Sequence, residues 1–130
     1  MLTNPRDRAW VEVQADALLR NAYALQQVVG PGSQLIPMVK ADAYGVGLSQ
    51  TVRTLEASNP WGFGVATLSE GLELRRLGVA YPILVVSPLP PASTELAVEA
   101  GLQLGISNPE SLRLVTSAAE RVGRAADIHI

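Results

Sequence analysis

Apolar and polar positions along the chain change period repeatedly. Short apolar runs of strand length alternate with stretches that place apolar residues three or four apart. Residues 9–13 form a short apolar-rich run. Asp16 is the expected N-cap of a helix reaching about Val29, with Leu18, Leu19, Ala22, Leu25 and Val29 on its apolar side and Gly30-Pro31-Gly32 as its stop. Residues 35–39 read as a strand, 48–57 as a helix and 61–66 as the next strand. Thr67-Leu68-Ser69-Glu70 fits a capping box that opens a helix to Leu77, with Gly78 just past its end. Residues 83–86 and 102–106 are further strands, with a helix over 93–100 between them. Ser107-Asn108-Pro109-Glu110 supplies a cap, an N1 proline and an early carboxylate for a helix ending near Gly123, and a last strand begins at about Asp127.

Strands alternating with helices of about ten residues predict βαβ units and a parallel sheet. Spacing alone leaves two arrangements open, a closed barrel and an open doubly wound sheet. No linker, repeat or low-complexity stretch divides the chain, so residues 1–130 read as one piece of a domain.

Composition narrows the partners. The chain has 130 residues, is 48% hydrophobic and carries a net charge of −2, which excludes a disordered polar chain and a basic nucleic-acid patch. No stretch approaches the roughly 18 apolar residues of a membrane span, and no apolar run follows the charged N-terminus as in a secretory signal. With no cysteine there are no disulfides or thiolate metal sites, in keeping with a cytoplasmic protein.

Candidate chemistry centres on Lys40, the one lysine, which ends the apolar run Leu35-Ile36-Pro37-Met38-Val39. Burial favours the neutral amine, and a neutral amine attacks aldehydes, pyridoxal phosphate (PLP) being the common biological one. Tyr44 follows four residues on, in a loop marked by Gly45 and Gly47. A phenol donor there suits a phosphate near a helix start; the ordinary alternative is a ring packed under the loop. Asp42 is expected to orient the loop or cap the next helix.

The run Lys40-Ala41-Asp42-Ala43-Tyr44-Gly45-Val46-Gly47 closely resembles the PLP-lysine motif of alanine racemases. It departs at Val46, where that family usually has histidine. Trp10-Val11-Glu12-Val13, the stretch from Gly62 to Thr67 with Glu70-Gly71-Leu72-Glu73-Leu74-Arg75, and Pro82 to Val86 resemble its successive strands and helix starts. The resemblance implies an α/β fold, a parallel (β/α)8 TIM-type barrel. A complete barrel takes about 250 residues, so the chain is expected to supply roughly the N-terminal half. It further implies a PLP-dependent isomerase interconverting L- and D-alanine, supplying D-alanine for the cell wall. Lys40 would be the catalytic and cofactor-binding residue and Tyr44 a second cofactor-binding residue. The resemblance also implies a homodimer whose partner subunit contributes a tyrosine as the second acid/base. Neither nucleic acid nor membrane is an expected partner.

Other residues read as structural. His129, the one histidine, lacks the neighbours of a metal ligand set and reads as a strand residue with a satisfied ring nitrogen, so no metal is expected. Glu70, Glu73, Arg75 and Arg76 read as a solvated helix face and a cap, and Trp10, Trp61 and Phe63 as core anchors. Three other readings stand beside alanine racemisation: a racemase of the same fold with other or several substrates, a PLP-binding protein without turnover, and an inactive half-barrel.

Overall fold

The computed structural model describes residues 12–130. Trp10 and most of the first apolar run lie outside the described residues, and Glu12 and Val13 stand outside any strand. The elements that follow are α1 (Ala15–Val29), α2 (Lys40–Gly45), α3 (Leu48–Glu56), β1 (Phe63–Val65), α4 (Leu68–Arg76), β2 (Ile83–Val85), α5 (Pro91–Glu99), β3 (Gln103–Gly105), α6 (Pro109–Val122) and β4 (Ile128–His129).

All four strands are parallel and stand in the order β1-β2-β3-β4. Each strand pairs with the next in sequence, so the order never reverses as it does in a doubly wound sheet. The predicted strand over residues 35–39 is reduced to a single bridge, Met38 to Gly64. The chain still runs alongside β1, where Val39 N–H donates to Gly64 O at 2.8 Å and Gly64 N–H to Pro37 O at 2.9 Å. Pro37 has no N–H to give, which keeps the ladder from extending. The lysine segment therefore forms the edge beside β1.

Register sorts the side chains into two faces. Val65, Val85, Leu104 and Ile128 are aligned across the four strands and lie toward the helices. Phe63, Val65, Ile83 and Val85 are completely buried there. Burying each such side chain contributes about 1.5–3 kcal/mol. Gly71 in α4 lets helix and sheet approach, because a Cβ there would stand 2.8 Å from Leu102 Cδ1. The opposite, concave face carries Gly64, Leu84, Gln103 and His129. Trp61, at the entry to β1, meets His129 of β4 edge-on with ring centroids 5.6 Å apart. Strands are spaced about 4.8 Å apart, so side chains from the two ends of a flat four-strand sheet would not meet. The sheet is curled into an arc. His129 also hydrogen-bonds Gln103 at 2.7 Å, as expected of a satisfied strand histidine. Trp61 is half-buried and belongs to this concave face, not to the core under the helices.

The helix ends mostly follow local chemistry. Thr67 and Glu70 form the capping box, Asn108 Oδ1 accepts from Ser111 N–H at 2.8 Å, and Gly123 closes α6 in the left-handed region at φ 70°. Helix α1 differs from expectation. Gln14 is its N-cap and makes no side-chain cap, while Asp16 lies in the first turn. There its charge complements the helix dipole.

Candidate active site

Lys40 stands where the edge segment leaves the sheet at its C-terminal end. Residues 40–45, expected to be an open loop, wind into a single left-handed turn. Ala41, Asp42, Ala43 and Tyr44 all have φ between 50° and 58°. For L-residues this conformation costs about 1–2 kcal/mol each, and it is rarely continued beyond one residue. The sequence limits the cost through small side chains at Ala41 and Ala43 and through aspartate, which tolerates this region better than most.

Hydrogen bonds hold the turn from several sides. Ala43 N–H donates to Val39 O at 2.9 Å and Gly47 N–H to Asp42 O at 3.0 Å. Asp42 Oδ1 accepts from Leu48 N–H at 2.6 Å, so this carboxylate caps α3 while its own backbone belongs to the turn. Of the two expected roles of Asp42, the helix cap is present. Ala41 N–H donates to Glu70 Oε1 at 2.7 Å, across 29 residues of sequence. The other oxygen of Glu70 accepts from Ala66 and Thr67 N–H at 2.9 and 3.0 Å. Burial raises the Glu70 pKa, but the N–H groups of Ala41, Thr67 and Ala66 outweigh it and leave the pKa below its ordinary value.

The turn brings Lys40 and Tyr44 together. Lys40 Nζ lies 5.9 Å from the centre of the Tyr44 ring, within cation–π range. No hydrogen bond or ion pair holds Nζ among the described residues. The Tyr44 ring is 63% exposed, so it is not packed under the loop. Val46 is half-buried against the core cluster, an apolar setting that suits valine.

A half-buried lysine at the end of the edge segment, beside an exposed tyrosine, fits the donor set that PLP requires. One N–H at the start of each of α3, α4 and α6 is already bound to a side chain. Leu48 N–H is taken by Asp42, Glu70 N–H in α4 by Thr67, and Ser111 N–H in α6 by Asn108. Among the described residues no group of three carboxylate, histidine or cysteine side chains is placed to hold a metal ion, and no helix is long and apolar enough to cross a membrane.

Two charged residues of α4 do more than the sequence indicates. Arg75 does not lie on a solvated face. Its guanidinium donates to the carbonyls of Val79, Tyr81, Ala100 and Gly101 at 2.8 to 3.2 Å. Burial, then the nearby positive charge of Arg124, lowers its pKa. Glu70 caps α4 as expected, but its grip on Ala41 has no local sequence signal. The pairing of an early-helix glutamate with a strained loop 29 residues away appears only in three dimensions.

Comparison with known proteins agrees with this geometry. Residues 13–130 match the family described as alanine racemase, N-terminal domain. An alanine racemase of Synechocystis sp. is 37% identical over 127 residues, covering 96% of this chain and 34% of the relative. Alanine racemase 1 of Oceanobacillus iheyensis is 37% identical over 130 residues, again covering 34% of the relative. The chain thus spans about a third of the length of these relatives. Among solved structures, an alanine racemase of Clostridium difficile 630 in complex with cycloserine superposes with a TM-score of 0.89 at 26% identity, over 100% of this chain and 35% of that one. A histidine racemase from Leuconostoc mesenteroides superposes with a TM-score of 0.82 at 26% identity, over 96% of this chain and 33% of that one. The parallel arc is about the N-terminal half of a TIM-type barrel, and the chain belongs to the family of alanine racemase N-terminal domains.

Proposed function

We propose that residues 1–130 form the N-terminal part of a PLP-dependent alanine racemase and carry its cofactor anchor. The carrying observation is the Lys40 amine at the C-terminal end of the edge segment, held next to Tyr44 by the left-handed turn. Active sites of parallel barrels gather at this end of the strands.

Lys40 would hold the cofactor covalently through Nζ, and the Tyr44 hydroxyl would donate to its phosphate. When bound, PLP draws electrons from the substrate Cα and makes its proton removable. Lys40 Nζ would take or return that proton on one face of Cα. The turn keeps the amine close to the reacting carbon and so limits the conformational cost of each transfer. A second acid/base must act from the opposite face; the family resemblance assigns it to a tyrosine of the partner subunit in a homodimer. A cytoplasmic site and a supply of D-alanine to the cell wall accord with this reading. The resemblance puts that tyrosine in the C-terminal domain, outside the third of its relatives' length that this chain spans, so the isolated chain would not turn over.

The test is borohydride reduction of the full-length protein with bound PLP, followed by peptide mapping. The pyridoxyl group is expected on Lys40 and absent from Lys40→Ala. A label on another lysine overturns the assignment. The likeness to a histidine racemase supports a second reading of the substrate, an amino acid other than alanine. Racemisation rates across a panel of L-amino acids decide between the two.

A further inference from the structure

We propose that Glu70 is a positioning residue whose carboxylate fixes the Ala41 amide, and through it the left-handed turn that presents Lys40 and Tyr44. The inference rests on the role proposed for Lys40.

A capping box needs one carboxylate oxygen turned back to the start of its own helix. Glu70 Oε2 does this, accepting from Ala66 and Thr67. Its Oε1 has no part in that cap. It accepts only from Ala41 N–H, at 2.7 Å, the shortest of the three contacts. Ala41 is the first residue of the turn with positive φ, and it follows Lys40 directly. With Ala41 exposed, solvent would otherwise compete for this N–H. A charged acceptor makes the bond stronger than a neutral one would. No cation is paired with Glu70 among the described residues, so its charge is directed at backbone N–H groups. The depressed pKa of Glu70 accords with a carboxylate held ionised by them. One side chain therefore joins the first turn of α4 to the segment carrying the amine.

Glu70→Gln separates the two roles. Its single carbonyl oxygen can serve Ala66 and Thr67 as the cap requires, which turns the amide NH2 toward Ala41 N–H, donor against donor. Thr67→Ala is the complement: it weakens the cap and leaves the Ala41 contact in place. In the full-length apoprotein, PLP affinity is read from the visible absorbance of the lysine adduct, and thermal midpoints are recorded alongside. Glu70→Gln is expected to bind PLP about tenfold to a hundredfold more weakly, the worth of one hydrogen bond to a charged group. Thr67→Ala is expected to lose thermal stability but keep its PLP affinity. Unchanged affinity in Glu70→Gln, or affinity that falls in both variants in step with the thermal midpoint, overturns the inference.

A measurement on the unmodified protein needs no variant to fold. Amide hydrogen exchange at Ala41 should be slowed alongside Ala66 and Thr67. Fast exchange at Ala41 next to protected Ala66 and Thr67 overturns the inference. If the unmodified protein forms no adduct at Lys40, the proposed function itself fails. An adduct there with an unaffected Glu70→Gln removes only the role of Glu70.

Discussion

The two ends of α4 solve opposite problems with opposite charges. At its N-terminus Glu70 collects three backbone N–H groups, and one of them belongs to the left-handed lysine turn. At its C-terminus Arg75 collects four backbone carbonyls from the turns that enter β2 and β3. Each charge also has the sign that its end of the helix dipole favours. The partners differ in kind. Those of Arg75 lie in ordinary helix-to-strand turns, whereas one of those of Glu70, Ala41, has a backbone conformation that L-residues avoid. The run of consecutive strained residues thus lies at the strand-exit end, where barrel chemistry occurs, while the entry end holds a single such residue, Asn59 at φ 51°.

Arg75→Met should have the largest effect on stability. It keeps an apolar stem but leaves four carbonyls without their charged donor. A loss of about 3 kcal/mol is expected in urea titration of the full-length protein, the order of one to two hydrogen bonds to a charged group. PLP affinity of the folded fraction should not change. A parallel loss of affinity would show that the two ends of α4 are coupled.

Acid should act mainly at the other end. The folded-state pKa of Glu70 lies below its ordinary value of 4.5. Its contribution is therefore complete above about pH 4.5 and is lost as pH falls through the depressed folded value. Denaturant midpoints measured from neutral pH downward should fall more steeply in the unmodified protein than in Glu70→Gln. Equal slopes would mean that Glu70 is not specially stabilised in its charged form.

Ala41→Gly should give the smallest change, and one of opposite sign. Glycine accepts positive φ without the Cβ clash, which outweighs the greater freedom it gives the unfolded chain. A gain of about 1 kcal/mol or less is expected in the same titration. Destabilisation would argue against a left-handed turn at this position in solution.

Sequence showed most of the scaffold, because its signals are local. The Thr67/Glu70 box, the Asn108-Pro109 start and the Gly78 and Gly123 stops each act within a few residues of themselves. The motif likewise pointed to Lys40 and Tyr44. Hidden features depend on distant partners or on backbone geometry. Pro37 reduced an expected strand to a bridge, and four consecutive non-glycine residues adopted positive φ where an open loop was expected. Arg75 looked like any other charged residue near a helix end, since its carbonyl partners reach as far as 26 positions away. Asp16 resembled a cap, yet the cap is Gln14, two residues earlier.

The unbroken strand order also bears on how the arc is made. Phe63 pairs with Ile83, Leu84 with Gln103 and Leu104 with Ile128, so a partner always arrives about twenty residues later. A ribosome adding about 5–20 residues per second delivers that much chain within a few seconds. Among the four described strands, each finds its neighbour without waiting for a distant part of the chain. The arc can be laid down in the order of synthesis, with Glu70 emerging 29 residues after the amide it binds.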